Sequence, residues 1–184
     1  PRRQVIAGAI DASFAGLQRA ALKDPRACRA AGLIRALLDR GGIRPRAVLV
    51  LRNPAAVAAS LKARDQISAV YAGVAWARHM VAAEAATRDM ARIMVDYDVL
   101  LENPTAEIAR IATFLPWSVD DVPGGHGAFL RPPAIGGSRD PFGPGPGAAF
   151  LELHAALAGL AQRDDGPGRA AVDAPVHGLL ALVD

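Results

Sequence analysis

The sequence predicts an α/β fold in which a parallel sheet is flanked by helices, and the chain is helix-rich. Two short apolar segments, residues 47–52 and 92–97, have the character of strands, and helical segments lie before, between and after them. An Asn-Pro pair follows each strand and supplies a helix with an N-cap and a proline in its first turn. Alternation of strands with helices is typical of a parallel sheet with helices packed on it.

The composition favours a globular domain and excludes several classes of site. Hydrophobic residues make up 52% of the 184 residues, whereas aromatic residues make up 5% and the net charge is +3. Without a long Lys/Arg run, this composition disfavours a surface that stacks nucleic-acid bases. Cys28 is the single cysteine, so neither an internal disulfide nor a cysteine-based zinc site can form.

No apolar run reaches the ~18 residues of a membrane-spanning helix, so we expect no membrane span in this chain. The location that we expect is cytoplasmic, and the oligomeric state is open. The chain opens on Pro1 in the middle of a pattern, and we therefore expect further residues upstream in the full protein.

Two helices are predicted before the first strand. Apolar side chains recur near one helical face over residues 4–22, and Pro25 breaks that helix. The stripe between Leu33 and Leu38 predicts a second helix, which ends at the Gly41-Gly42 pair.

Four helices are predicted after the first strand. One begins at Pro54 behind the cap Asn53, and a longer one covers about residues 70–87. Another begins at Pro104 behind the second strand, and the last covers about residues 148–162. Together with the strands, these helices complete the alternating pattern of the fold class.

The Gly/Pro content and the distribution of apolar residues divide the chain into three parts. Residues 1–116 carry the strands and most helices, whereas residues 117–147 form a Gly/Pro-rich loop or cover with few apolar side chains to order it. Residues 148–184 carry the last helix and a Gly/Pro-interrupted tail.

The junction between the first strand and its helix predicts an anion site. Arg52 ends the strand at the sheet edge where parallel folds bind ligands, and the helix behind it points its positive N-terminus to the same side. A guanidinium has a fixed fork of donors that suits phosphate oxygens. Ser60 lies about two helical turns into that helix, within reach of the same phosphate. The alternative is a structural arginine and a serine that bonds to its own backbone.

Two other segments carry candidate site residues. Lys23 lies in "LKDPR", where it would neutralise a transferring anionic group or, more simply, pair with Asp24 in a solvated turn. Tyr97 ends the second strand and offers a ring face and a hydroxyl to a nucleoside. Its alternative role is that of a rim tyrosine packed on Leu100 and Leu101.

The segments "LKDPR", "LVLRNPAAVAASLKARD", "GVAWARH" and "MVDYDVLLENPTAEIARIATFL" resemble sulfotransferases in their order and approximate spacing, most closely bacterial sulfotransferase family proteins. The resemblance covers about residues 20–116. Its most specific part is Arg-Asn-Pro with a serine eight residues after the arginine. It implies a P-loop NTPase-like sulfotransferase fold, of whose core residues 1–116 would be the C-terminal portion.

The resemblance also implies an activity and a role for each candidate residue. Sulfotransferases move a sulfuryl group from 3′-phosphoadenosine 5′-phosphosulfate (PAPS), the co-substrate, to a hydroxyl or amine of a small-molecule or glycan acceptor. Arg52 and Ser60 would then bind the 3′-phosphate of PAPS, and Tyr97 would lie near the adenosine. Lys23 would contact the 5′-phosphosulfate or its bridging oxygen. We expect no metal, because a sulfuryl group carries one negative charge fewer than a phosphoryl group.

Two departures from the family pattern keep other functions open. Cytosolic sulfotransferases have a histidine base two residues after a similarly placed lysine, but this chain has Pro25 there, which makes Asp24 the candidate base. The loop that cradles the 5′-phosphosulfate in the family has no counterpart in this sequence, and we expect it upstream. A kinase-like nucleotide enzyme of the P-loop class and a non-catalytic remnant are therefore the alternatives.

Overall fold

The computed structural model describes residues 2–115, 117, 141–143 and 146–161. The predicted tail from Asp164 and most of the predicted cover, 117–147, lie outside these residues. The described elements are, in order, α1 (Arg2–Phe14), a 3₁₀ helix (Ala27–Ala30), α2 (Ala31–Arg40), β1 (Arg46–Leu51), α3 (Pro54–Asp65), α4 (Ala69–Ala86), β2 (Ala91–Asp96), α5 (Tyr97–Glu102), α6 (Pro104–Phe114) and α7 (Pro146–Ala161). The chain divides into two compact units, Pro1–Pro45 and Arg46–Asp184.

The first unit is helical in the described residues. Helix α1 ends at Phe14, so the helix predicted over residues 4–22 is too long. Gly16, two residues beyond, has a φ of +75°, a conformation that glycine adopts without a steric penalty and that commonly ends helices. The end predicted for α2 is confirmed, since this helix stops at Arg40 and Gly42 has a φ of +68°.

The second unit is built on a parallel pair of strands. β1 and β2 pair in a register that runs from Arg46 opposite Ala91 to Leu51 opposite Asp96. Parallel strands need a crossover connection, which α3 and α4 provide. The helix-rich α/β class with a parallel sheet is thereby confirmed in its coarse form. Both strands have their carboxyl ends at the same edge of the sheet.

Each strand ends one residue earlier than predicted. Arg52 therefore follows β1 directly, and Tyr97 is the first residue of α5, a short helix that the sequence analysis missed. The cause of the second shift is local, because the side chain of Asp96 accepts a hydrogen bond of 2.9 Å from the backbone N–H of Asp98 and caps α5.

The core of the second unit lies where α4 and α7 pack beside the sheet. Phe150, Leu153 and Leu157 of α7 are at most 1% exposed. Gly73 of α4 permits a close approach, because a Cβ built there would lie 2.5 Å from Cε2 of Phe150. Helix α7 starts at Pro146, two residues before the predicted start at residue 148.

A buried ion cluster joins the end of α4 to the start of β2. The carboxylate of Glu84 is 1% exposed and receives hydrogen bonds from Arg88, at 2.7 to 3.1 Å, and from Arg92, at 3.1 Å. Arg92 also donates to the backbone oxygen of Glu84 at 2.8 Å. A buried carboxylate is costly unless it is paired and hydrogen-bonded, so the pairing fixes how helix and strand meet. We call Glu84, Arg88 and Arg92 the Glu84 cluster.

Candidate anion and ligand site

Helix α3 begins at the carboxyl end of β1 because its first residues are suited to a helix start. The side-chain oxygen of Asn53 accepts a hydrogen bond of 2.9 Å from the backbone N–H of Ala55, and Pro54 occupies the first turn. Proline is favourable there, since its missing N–H would have no partner within the helix. The predicted cap is confirmed. The positive end of the α3 dipole therefore lies directly after Arg52.

Arg52 lies partly buried at this edge and is held by an aromatic ring. Its guanidinium carbon is 5.2 Å from the centroid of the Tyr97 ring, a cation–π contact worth about 0.5–2 kcal/mol. The two residues predicted at the ends of the two strands thus meet. Nε of Arg52 is buried and, in the described part of the chain, has no hydrogen-bond partner. A buried polar group without a partner is rare and lowers stability by about 1–3 kcal/mol. We therefore expect the N–H of this nitrogen to bind an acceptor from a ligand.

A second pair of orphaned nitrogens lies between α4 and α7. The rings of Trp76 and His154 have centroids 6.3 Å apart and planes tilted by 38°. Nε1 of Trp76 and Nε2 of His154 are both buried, and neither has a hydrogen-bond partner among the described residues. We call these two residues the Trp76–His154 pair.

His154 is within electrostatic range of the carboxylates at and just after the end of β2. Burial lowers the pKa of His154 from its ordinary value, and the negative charges of Asp96 and Asp98 oppose this shift. Those carboxylates flank Tyr97 in the sequence, and Tyr97 contacts Arg52.

No role for the Trp76–His154 pair is predicted from the sequence. A signal was available for His154, which stands four residues after Phe150 on the apolar stripe of α7. A histidine at such a position is either bonded in the core or faces a ligand. Trp76 gave no comparable signal, because a tryptophan on a buried helical face is ordinary core material.

Ser60 lies on the exposed surface of α3. No hydrogen bond between Arg52 and Ser60 exists in the described part of the chain, whereas Arg52 does contact the Tyr97 ring. Ser60 lies six residues after Pro54, and six residues at about 100° per residue turn it by about 240° around the helix axis from the first residue of α3. The joint role of the two residues stays a prediction.

Lys23 and Asp24 belong to the first unit, in the irregular segment between α1 and the 3₁₀ helix. Lys23 is exposed. Asp24 accepts hydrogen bonds from the backbone and the guanidinium of Arg26, at 2.8 to 3.1 Å, rather than pairing with Lys23. These bonds from Arg26 lower the pKa of Asp24 to about 2. A carboxyl group with so low a pKa is a weak base, so this arrangement does not suit the role of general base.

Comparison of the chain with protein-family models, with curated proteins and with solved structures gives no match. In the part of the chain that the structure describes, none of the helices combines the length and the apolar character that crossing a membrane requires. Within the same residues, no three His, Cys, Asp or Glu side chains are grouped as a metal ion would require.

Proposed function

We propose that this chain binds PAPS and takes part in sulfuryl transfer to a hydroxyl or amine acceptor. The observation that carries the proposal is the buried Nε of Arg52, which has no hydrogen-bond partner among the described residues and lies at the carboxyl edge of a parallel sheet, beside the first turn of α3. Tyr97 supports it, since an aromatic ring at this edge suits an adenosine. The proposal also rests on the resemblance of residues 20–116 to sulfotransferases.

In the proposed reaction, the acceptor atom forms a bond to sulfur while the bond from sulfur to the bridging oxygen breaks. The leaving group, 3′-phosphoadenosine 5′-phosphate, keeps the electron pair, and the acceptor loses its proton to a base. Such a transfer needs positioning and charge neutralisation more than covalent help from the protein. Arg52 would anchor the 3′-phosphate, with Ser60 as a further contact.

The test is a calorimetric titration of the chain with 3′-phosphoadenosine 5′-phosphate, adenosine 5′-monophosphate and ATP. We expect the bisphosphate to bind at least about tenfold more tightly than the monophosphate, because a charge-assisted hydrogen bond contributes about 1.5–3 kcal/mol. Equal affinities would exclude a 3′-phosphate site. Preferential binding of ATP would instead favour a kinase-like enzyme.

Two variants make the test specific to Arg52. Arg52→Ala should abolish the preference for the 3′-phosphate. Arg64→Ala is the matched control, since Arg64 lies at the other end of α3, is exposed and pairs with Asp65 at 2.7 Å. A preference that survives in Arg52→Ala, or that is lost in Arg64→Ala as well, would contradict the assignment.

A further inference from the structure

The Trp76–His154 pair offers two polar atoms that the fold itself does not use. Trp76 is only 7% exposed, and its indole nitrogen has no hydrogen-bond partner in the described residues. The same holds for Nε2 of His154, which comes from a different helix. Because the two rings are neighbours, with centroids 6.3 Å apart, one small group is a candidate partner for both nitrogens.

The hydrogen-bonding character of the two rings selects the kind of group. An indole N–H can only donate, whereas a neutral imidazole accepts through Nε2 when Nδ1 carries the proton. A hydroxyl meets both demands at once, since its oxygen accepts and its hydrogen is donated. An aliphatic amine is mostly an ammonium ion at neutral pH and then has no lone pair for the indole N–H, and a carboxylate has no hydrogen for the imidazole.

The neighbouring charges disfavour an anion at this position. The negative charges of Asp96 and Asp98 act on His154, so an anionic group beside its ring would be repelled. The anion site is proposed instead at Arg52, beside Tyr97.

We propose that the Trp76–His154 pair binds a hydroxyl group of the acceptor, which makes the acceptor an alcohol or a phenol rather than an aliphatic amine. This inference rests on the proposed function, since only that function makes the bound hydroxyl an acceptor. The hydroxyl oxygen accepts from Nε1 of Trp76, and its hydrogen is donated to Nε2 of His154.

The test uses the indole N–H of Trp76 as the reporter. The chain has two tryptophans, so Trp117→Phe leaves Trp76 as the only indole signal in a ¹⁵N spectrum. Phenol and its methyl ether, anisole, are the probes, since they differ in the hydroxyl hydrogen. We expect phenol to shift the Trp76 signal saturably and with about five- to tenfold higher affinity than anisole.

Two variants in the Trp117→Phe background locate the effect. His154→Leu replaces the imidazole with an apolar side chain of similar size. It should make the affinities of phenol and anisole equal. His79→Leu is the control, because Nδ1 of His79 already contacts the backbone oxygen of Ala75 at 2.7 Å. It should keep the preference for phenol. Near-ultraviolet circular dichroism of each variant verifies that its tertiary packing is retained.

The outcomes separate this inference from the proposed function. Equal shifts by phenol and anisole, or no saturable shift by either probe, would overturn the hydroxyl site and would indicate that a buried water serves these nitrogens. A preference for phenol in a chain without a 3′-phosphate preference would keep the hydroxyl site but refute its assignment to a sulfotransferase acceptor. The nucleotide titration tests the site at Arg52, and the phenol titration tests the site at Trp76. Either proposal can therefore be refuted while the other stands.

Discussion

Helix α4 buries polar side chains in its middle and near its C-terminal end, and the two regions differ in how those side chains are bonded. At the C-terminal end, every oxygen of the Glu84 carboxylate receives hydrogen bonds from an arginine. In the middle, the indole nitrogen of Trp76 has no partner in the described residues, and neither has the imidazole nitrogen beside it. A buried polar group that the fold satisfies contributes to structure, whereas one that the fold leaves unsatisfied is suited to a ligand.

The largest effect should come from breaking the satisfied region. Glu84→Ala removes the shared partner of Arg88 and Arg92 and leaves two cations in a partly buried position. Loss of one member of a buried ion pair costs about 3–5 kcal/mol, and we expect that decrease in the free energy of unfolding. Urea unfolding followed by circular dichroism measures it. A decrease below about 1 kcal/mol would show that the Glu84 cluster is not structural.

The close contact between α4 and α7 should give the next largest effect. In Gly73→Ala, the new methyl group would lie within 3 Å of both Phe150 and Phe142, so we expect overpacking to cost about 1–3 kcal/mol of stability. Gly159→Ala is the matched control, because a Cβ there meets nothing within 4 Å and alanine favours a helix by up to about 1 kcal/mol. Urea midpoints that shift in the same direction for both variants would contradict this packing.

The local parts of this fold and its parallel sheet could be predicted from the sequence, whereas the packing of one helix against another could not. Asn53-Pro54 predicts the start of α3 because capping depends on neighbouring residues alone. The orphaned nitrogen of Trp76 could not be predicted, since it depends on how α7 packs against α4. Ser60 illustrates the limit, because its spacing from Arg52 matched a known motif although its side chain is exposed in the structure.

A smaller effect on stability should accompany loss of the anion site. Arg52→Leu removes a buried nitrogen without a partner, which favours folding, but it also removes the cation–π contact with Tyr97. These terms oppose each other, so we expect the free energy of unfolding to change by less than about 1 kcal/mol. The preference for 3′-phosphoadenosine 5′-phosphate should nevertheless disappear. A large loss of stability in urea would instead place Arg52 with the Glu84 cluster as a structural residue.

The smallest effect should be a pH dependence that arises from His154. Burial lowers the pKa of His154 in the folded chain. Just below about pH 6.5, His154 is therefore protonated in the unfolded chain but still largely neutral in the folded chain. The free energy of unfolding should therefore fall as the pH decreases from about 7 through that value, and this contribution should be complete above it. Asp96 and Asp98 favour the protonated ring and keep the effect small.

His154→Leu removes the titrating ring, so its urea midpoint should fall less steeply than that of the parent between about pH 7 and pH 5. Gly159→Ala, which leaves His154 in place, should keep the parent's slope. If His154→Leu and the parent had the same slope, the pKa of His154 would be the same in the folded chain as in the unfolded chain. The imidazole would then be reached freely by water, and the contrast between the orphaned pair and the satisfied Glu84 cluster would lose its physical basis.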